Sequence, residues 1–186
     1  GIKQENGLGL GVISSDFNND GFQDLFVAND LMKQDYFLLN NGDGTFTDQL
    51  EHAMPHVSMN SMGCDAADFN NDGFMDLFVV DMFPEDPVRQ KTQSGISNDH
   101  YEQLVRGGYY HQFVRNVLQW NRGNARFSDI GHMADVAHSD WSWSPLFLDV
   151  DNDGYKDIVV TNSLPKDMLD SDFQRFTMDS LKGNNN

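Results

Sequence analysis

Three stretches of the chain gather aspartates at spacings that suit a hard cation. The first runs Asp16, Asn18, Asp20, Phe22, Asp24. The second runs Asp68, Asn70, Asp72, Phe74, Asp76, and the third Asp149, Asp151, Asp153, Tyr155, Asp157. Counted from the first aspartate, positions 1, 3, 5 and 9 offer side-chain oxygens, and position 7 offers a backbone carbonyl. Ca2+ takes about six to eight oxygens in flexible geometry, a demand such a set can meet. Glycine at position 6 (Gly21, Gly73, Gly154) permits the sharp turn that aims the donors inward. Three or four carboxylates converging without a cation would repel one another, so about three bound Ca2+ ions are expected. The third loop carries Asp151 where the others carry Asn18 and Asn70, and its extra negative charge is expected to make it the tightest site.

Two rival readings open the same way. An EF-hand needs a glutamate at position 12 and flanking helices. Position 12 here is Val27, Val79 and Val160, and each loop runs into strand-forming residues. An acidic β-turn that binds nothing is the plainer alternative, and one spacing kept in all three loops argues against it.

The elements that position these loops follow from self-comparison. The three segments share D-x-[DN]-x-D-G-[FY]-x-D-[LI]-[FV]-V without gaps. A second element also repeats: Asn40 to Asp48 matches Asn121 to Asp129, and each copy begins 28 residues before a loop. Asp16 to Asn40 spans 24 residues but Asp68 to Asn121 spans 53, so the second unit holds a 29-residue insertion in a basic repeat of 52. Residues 10–16 and 62–68 are expected to be strands that enter the loops. Residues 24–29, 76–81 and 157–162, short and rich in Val, Ile, Leu and Phe, are expected to be buried strands. Third strands fall at 36–40 and 116–121. The turn signal Asn41-Gly42-Asp43-Gly44 leads to short fourth strands at 45–48 and 126–129.

Four strands in roughly 50 residues, repeated, describe a propeller blade. The expected fold is therefore all-β, with residues 1–186 forming a single partial β-propeller domain of four-stranded antiparallel sheets. Blade 1 spans about 9–50. Blade 2 spans about 61–131 with an insertion at 82–115, and blade 3 starts at about 142 and is incomplete. A closed ring needs at least about four blades, so the chain is expected to be a fragment of a larger ring. In the insertion, Pro84 and Pro87 oppose a sheet interior. Ser97-Asn98-Asp99 there is expected to cap a short helix over His100–Arg106, ended by Gly107-Gly108. The tail after Asn162 reads as polar and partly helical.

Composition excludes several classes. Hydrophobic residues are 39% of the chain, too many for a disordered polymer. A net charge of -17 opposes nucleic-acid binding, which needs a basic face. The one cysteine, Cys64, rules out an internal disulfide and a cysteine zinc site, and is expected to be a small buried residue. No apolar run approaches the ~20 residues of a membrane span, and no basic-then-apolar leader is visible. His52 and His56 lie four apart, but Pro55 opposes a helix there. These two and His100, His111, His132 and His138 read as ordinary surface or core residues rather than zinc ligands. Trp141 and Trp143 could form a sugar-stacking platform. Alternation is instead expected to place one of them in the core between blades. No G-x-S-x-G elbow occurs, and Gly7-x-Gly9-x-Gly11 leads into a strand rather than a phosphate-binding helix.

With these residues in place, the loops resemble the FG-GAP/VCBS repeats of integrin α-subunit propellers. A closer similarity is to bacterial secreted FG-GAP-like proteins related to cartilage acidic protein. It is carried by Gly9-Leu10-Gly11-Val12, the Asp16 loop, Val27-Ala28-Asn29-Asp30, Asp35-Tyr36, the turn from Asn40 to Phe46, and Asp140-Trp141-Ser142-Trp143-Ser144-Pro145. The resemblance covers about two-thirds of the chain. It implies a propeller, typically of seven blades, with Ca2+ in loops between the first and second strands of a blade. It also implies an extracytoplasmic location: secreted, periplasmic or at the cell surface. The expected role is a calcium-binding, non-enzymatic scaffold for a protein or carbohydrate ligand. The alternative is the propeller portion of an extracytoplasmic enzyme acting on polysaccharide or another surface substrate.

Overall fold

Each Asp-rich loop is followed by a run of β-branched and aromatic residues, and each run forms a strand that pairs back on the one before the loop. The computed structural model describes residues 7–92, 98–163 and 170–183, without the side chains of 98–100 and 181–183. The first sheet is β1 (Gly9–Ser15), β2 (Asp24–Asn29), β3 (Tyr36–Asn40) and β4 (Phe46–Asp48), antiparallel and in sequence order. A one-turn helix α1 (Leu50–Ala53) and β5 (Val57–Ser58) follow, then β6 (Gly63–Ala67) and β7 (Asp76–Val80). Next come β8 (Met82–Phe83), α2 (Pro87–Thr92), α3 (Asn98–Arg106) and β9 (Gln112–Phe113). β10 (Val117–Asn121) and β11 (Phe127–Asp129) complete a second four-stranded sheet in the order β6-β7-β10-β11. β12 (Asp140–Leu148) and β13 (Asp157–Asn162) start a third, and α4 (Ser171–Gly183) comes last. This is the expected all-β set of antiparallel blades with few helices. The capping role expected of Ser97 and the His100 side chain lie outside the described residues, as does the stretch 164–169 of the tail.

The insertion differs from expectation. It contributes strands as well as helices. Met82 and Phe83 pair with Trp141 and Asp140, so β8 becomes an edge of the third sheet, in the order β13-β12-β8. Pro84 directly follows, and its missing N–H confines such pairing to two residues at an edge. Gln112–Phe113 pairs in parallel with Val57–Ser58, tying the insertion to the connection between the first two sheets.

The sheets stack face to face, and the loops are anchored in the seams. Phe17, at loop position 2, meets Phe37 and Phe127 edge-on at centroid distances of 5.4 and 6.0 Å, between the first and second sheets. Phe69, its counterpart, stacks on Phe147 at 6.4 Å between the second and third. Burying a side chain as fully as Phe17 stabilises the fold by about 1.5–3 kcal/mol, and the half-buried Phe69 contributes less. Alternation assigns the faces: Phe26 and Ala28 look toward the second sheet, whose Leu77 and Val79 look back. Phe78 and Val80 then face Phe147, Ile158 and Val160 of the third sheet.

Candidate metal centres

The three loops share one internal hydrogen-bond scheme. In the first, Asp16 accepts from the backbone N–H of Asp20 (3.0 Å) and of Gly21 (2.8 Å), while Asp20 accepts from Phe22 N–H (2.9 Å). The second repeats this among Asp68, Asp72, Gly73 and Phe74. The third repeats it among Asp149, Asp153, Gly154 and Tyr155. The scheme requires left-handed backbone at positions 4 and 6. Asn19, Asn71 and Asn152 sit at φ 58–60°, and Gly21, Gly73 and Gly154 at φ 88–91°. Asparagine tolerates the first conformation and glycine supplies the second.

Position 3 separates the loops electrostatically. Asn18 donates its amide to Asp20 at 2.8 Å, and Asn70 donates to Asp72 at 2.9 Å. Asp151 has no such donor. Asp149, Asp151 and Asp153 bring one carboxylate oxygen each within 4.8 Å of one another. Among the described residues this is the one group of three or more acidic, His or Cys ligands so placed. A hard, oxygen-seeking divalent ion fits that donor set, and it would remove the mutual repulsion that Asp151 adds.

Position 9 divides differently. Asp24 is fully buried and accepts from Phe17 N–H at 3.0 Å and Asn40 N–H at 2.9 Å, so it clamps the loop to β3. Asp76 does the same with Phe69 N–H (3.2 Å) and Asn121 N–H (2.8 Å). Burial pushes Asp24 above the usual carboxylate range against those two N–H donors, with Asp20 and Asp16 adding to the rise. Burial likewise pushes Asp76 up to about 7, with Asp72 and Asp68 contributing. A cation at the loop would favour ionisation of both. Asp157 accepts from Val150 N–H at 2.9 Å, is exposed, and lies outside the Asp149–Asp151–Asp153 group. At position 7, the Phe22 and Phe74 rings pack over Gly42 and Gly123 of the β3–β4 and β10–β11 turns, while Tyr155 is exposed.

A family model described as FG-GAP-like repeat matches residues 16–79 and again 96–160. The chain belongs to the FG-GAP-like repeat family. FG-GAP-like repeats form propeller-type scaffolds, are generally non-catalytic and often bind calcium. No curated protein matches the chain.

Within this FG-GAP-like chain the structure adds residues that the repeat pattern passes over. The pattern treats position 4 as free, yet all three loops carry asparagine there. Asn19 donates to the carbonyl of Gly73 at 3.0 Å, and Asn71 donates to that of Gly154 at 3.1 Å. Each of the first two loops thus holds the next one in place. Trp120 donates its indole N–H to Asp72 at 3.2 Å.

Other expected roles change. Neither Trp141 nor Trp143 fills the seam between sheets: Trp141 is half-buried and Trp143 is 42% exposed. Residues two apart share a face, and β12 turns Ser142, Pro145 and Phe147 inward after a register shift between Ser142 and Ser144. Cys64 is half-buried rather than fully buried, and burial, then Asp35 and Asp65, raise its thiol to about 12. It is therefore a poor nucleophile. His56 bonds to Asp129 at 2.9 Å, and α1 ends at Ala53 before Pro55.

Proposed function

We propose that this FG-GAP-like chain is a calcium-stabilised, non-enzymatic propeller scaffold that works outside the cytoplasm, with protein or carbohydrate ligands docking on its connecting loops. The observation that carries the reading is the three-carboxylate group of Asp149, Asp151 and Asp153, set in a loop whose backbone scheme recurs twice more. Asp16, Asn18, Asp20 and Asp24 would hold the first ion, with the Phe22 carbonyl. Asp68, Asn70, Asp72 and Asp76 would hold the second, with the Phe74 carbonyl. The third set is Asp149, Asp151, Asp153 and Asp157, with the Tyr155 carbonyl. Three ions would bring the formal charge from -17 to about -11 by adding six positive charges. FG-GAP repeat proteins are typically extracellular or surface proteins, which supports the location. Among the described residues no helix is long and apolar enough to cross a membrane.

An ion bound only by the folded state stabilises it by about 2.7 kcal/mol at 100 times its dissociation constant. For a chain of this size each kcal/mol moves the thermal midpoint by roughly 2–4 °C. A rise of several degrees in millimolar Ca2+ over chelator is expected, with none in Mg2+. An unchanged midpoint, or equal rises with the two ions, would overturn the reading. Calorimetry on single-loop variants should rank the third site tightest, and Asp151→Asn should bring it level with the first two.

A further inference from the structure

The antiparallel sheets put the Asp-rich loops at one end of the blades and the connections from second to third strand at the other. At that far end lies a cleft of about 550 Å3, within the size range of small-molecule sites. It is walled by Phe83 of β8, Tyr101 of α3 and Phe113 of β9, so the insertion supplies most of its apolar surface. The Tyr101 and Phe113 rings stack at 5.0 Å, making a continuous aromatic wall.

The polar side of the cleft is rich in donors. Gln112 lines it, is 2% exposed, and its amide Nε2 has no hydrogen-bond partner. That nitrogen is sealed from solvent, so it sits behind the wall rather than facing the open space. Arg115 lines the same space; its Nη1 donates to Asp129 at 2.6 Å and to Asn116 O at 3.2 Å, and its Nη2 lies 3.0 Å from His56. His132 and His138 close the cleft with ring centroids 5.4 Å apart. Burial, then His132 and Arg115, lower the pKa of His138 against the opposing pull of Asp135 and Glu85. The one acid on the wall, Glu102, is paired with Arg106 at 2.8 Å and is largely exposed. In a chain of charge -17, this is a local concentration of donors beside aromatic faces.

We propose that this cleft binds a small organic carboxylate carried on a ring, with the ring against the aromatic wall and the carboxylate taking hydrogen bonds from Arg115 and the His132–His138 pair. A carboxylate is acceptor-only and matches a donor-lined pocket, and rings suit aromatic faces. The inference rests on the binding-scaffold reading and deepens it by naming a site and a ligand chemistry.

The test is a titration of the folded chain, followed by calorimetry and by the side-chain amide and imidazole resonances, with galacturonate, benzoate and neutral galactose as probes. Saturable millimolar or tighter binding of at least one carboxylate is expected, with none of galactose. A preference for galacturonate would mark a sugar acid as the source, and a preference for benzoate an aryl acid. His138→Ala and His132→Ala should each weaken binding by about tenfold, the equivalent of one charge-assisted hydrogen bond. His132 is exposed, so its replacement decides the matter if His138→Ala does not fold. No saturable carboxylate binding, equal binding of galactose, or unchanged affinity in the folded variants would overturn the proposal. The titrations are run in calcium and in chelator. A calcium-stabilised chain that ignores carboxylates sinks the cleft alone, and carboxylate binding without calcium stabilisation sinks the metal reading alone.

Discussion

Asp35 and Asn116 occupy the same place in successive repeats, 81 residues apart like Asn40 and Asn121. Asp35 is fully buried, accepts Asn29 N–H at 2.8 Å, and takes the Ser61 hydroxyl at 3.0 Å from the segment that enters the second sheet. Asn116 accepts Asp81 N–H at 2.8 Å and donates to Ser139 at 2.6 Å, which in turn meets Ser142. Both accept a backbone N–H at the matching place, but Asp35 accepts from a hydroxyl where Asn116 donates to one, and only Asp35 is ionisable. Burial, opposed by Asn29 and Ser61, pushes Asp35 up to about 8. Its folded pKa is above the unfolded value, so its protonated form favours folding. That contribution is complete below about pH 4 and is lost as pH rises through about 8. Asp35→Asn copies the second repeat and leaves an amide that donates to Ser61. It is expected to flatten the pH dependence of stability between about pH 4 and 8 and to raise the midpoint at pH 8. A variant whose denaturation midpoint falls as steeply with pH as the parent's would contradict this.

At the scale of strands and loops, spacing between sheets is set where β6 meets its neighbours. A Cβ on Gly63 would lie 2.4 Å from the Trp143 carbonyl and 3.2 Å from Pro145. Both belong to β12, and the nearer contact is a backbone oxygen, so the clash cannot be relieved by a side-chain swing. Gly63→Ala is expected to cost about 1–3 kcal/mol through forced separation of the sheets. Gly9→Ala serves as the control, since its Cβ would meet nothing nearer than 3.5 Å. Urea midpoints at unchanged slope would measure both. The loops are coupled at the same scale, through the asparagine amides that run from each loop to the next. A second clamp joins Asp129 to Arg115 and His56 beneath the far-end cleft. Burial would raise Asp129, but His56, the Gly131 N–H and Arg115 overcome it and hold the carboxyl at about 2. Its contribution is present at neutral pH and is lost only as pH falls toward that value.

Across the whole molecule, cost depends on place in the stack rather than on place in the repeat. Leu25, Leu77 and Ile158 are equivalent in the repeat, yet Leu77 is fully buried while Leu25 and Ile158 are half-buried. The outer face of the first sheet shows Leu10 and Val12 to solvent, and that of the third shows Leu146 and Val159. Leu77→Ala is expected to cost about 2–5 kcal/mol. Leu25→Ala should cost at least about 1 kcal/mol less, because less apolar area leaves water on folding. Equal losses in urea denaturation would show that both faces are covered in solution.

The periodicities of this chain were enough to place the blade strands and their antiparallel sheets, and its glycines the sharp turns of the loops, because each rests on neighbours close in sequence. Alternation of Val, Leu and Phe sets the strands, and fixed Asp, Asn and Gly positions set the turns. The asparagine at position 4 was also on view, but its partner, a glycine carbonyl one repeat away, was not. The pairing of β8 with β12, the burial of Asp24, Asp35 and Asp76, and the donor-lined cleft came from long-range packing. They bring together segments more than fifty residues apart, or set how much water a face keeps. No local pattern encodes such distances, because they depend on which sheet lies against which.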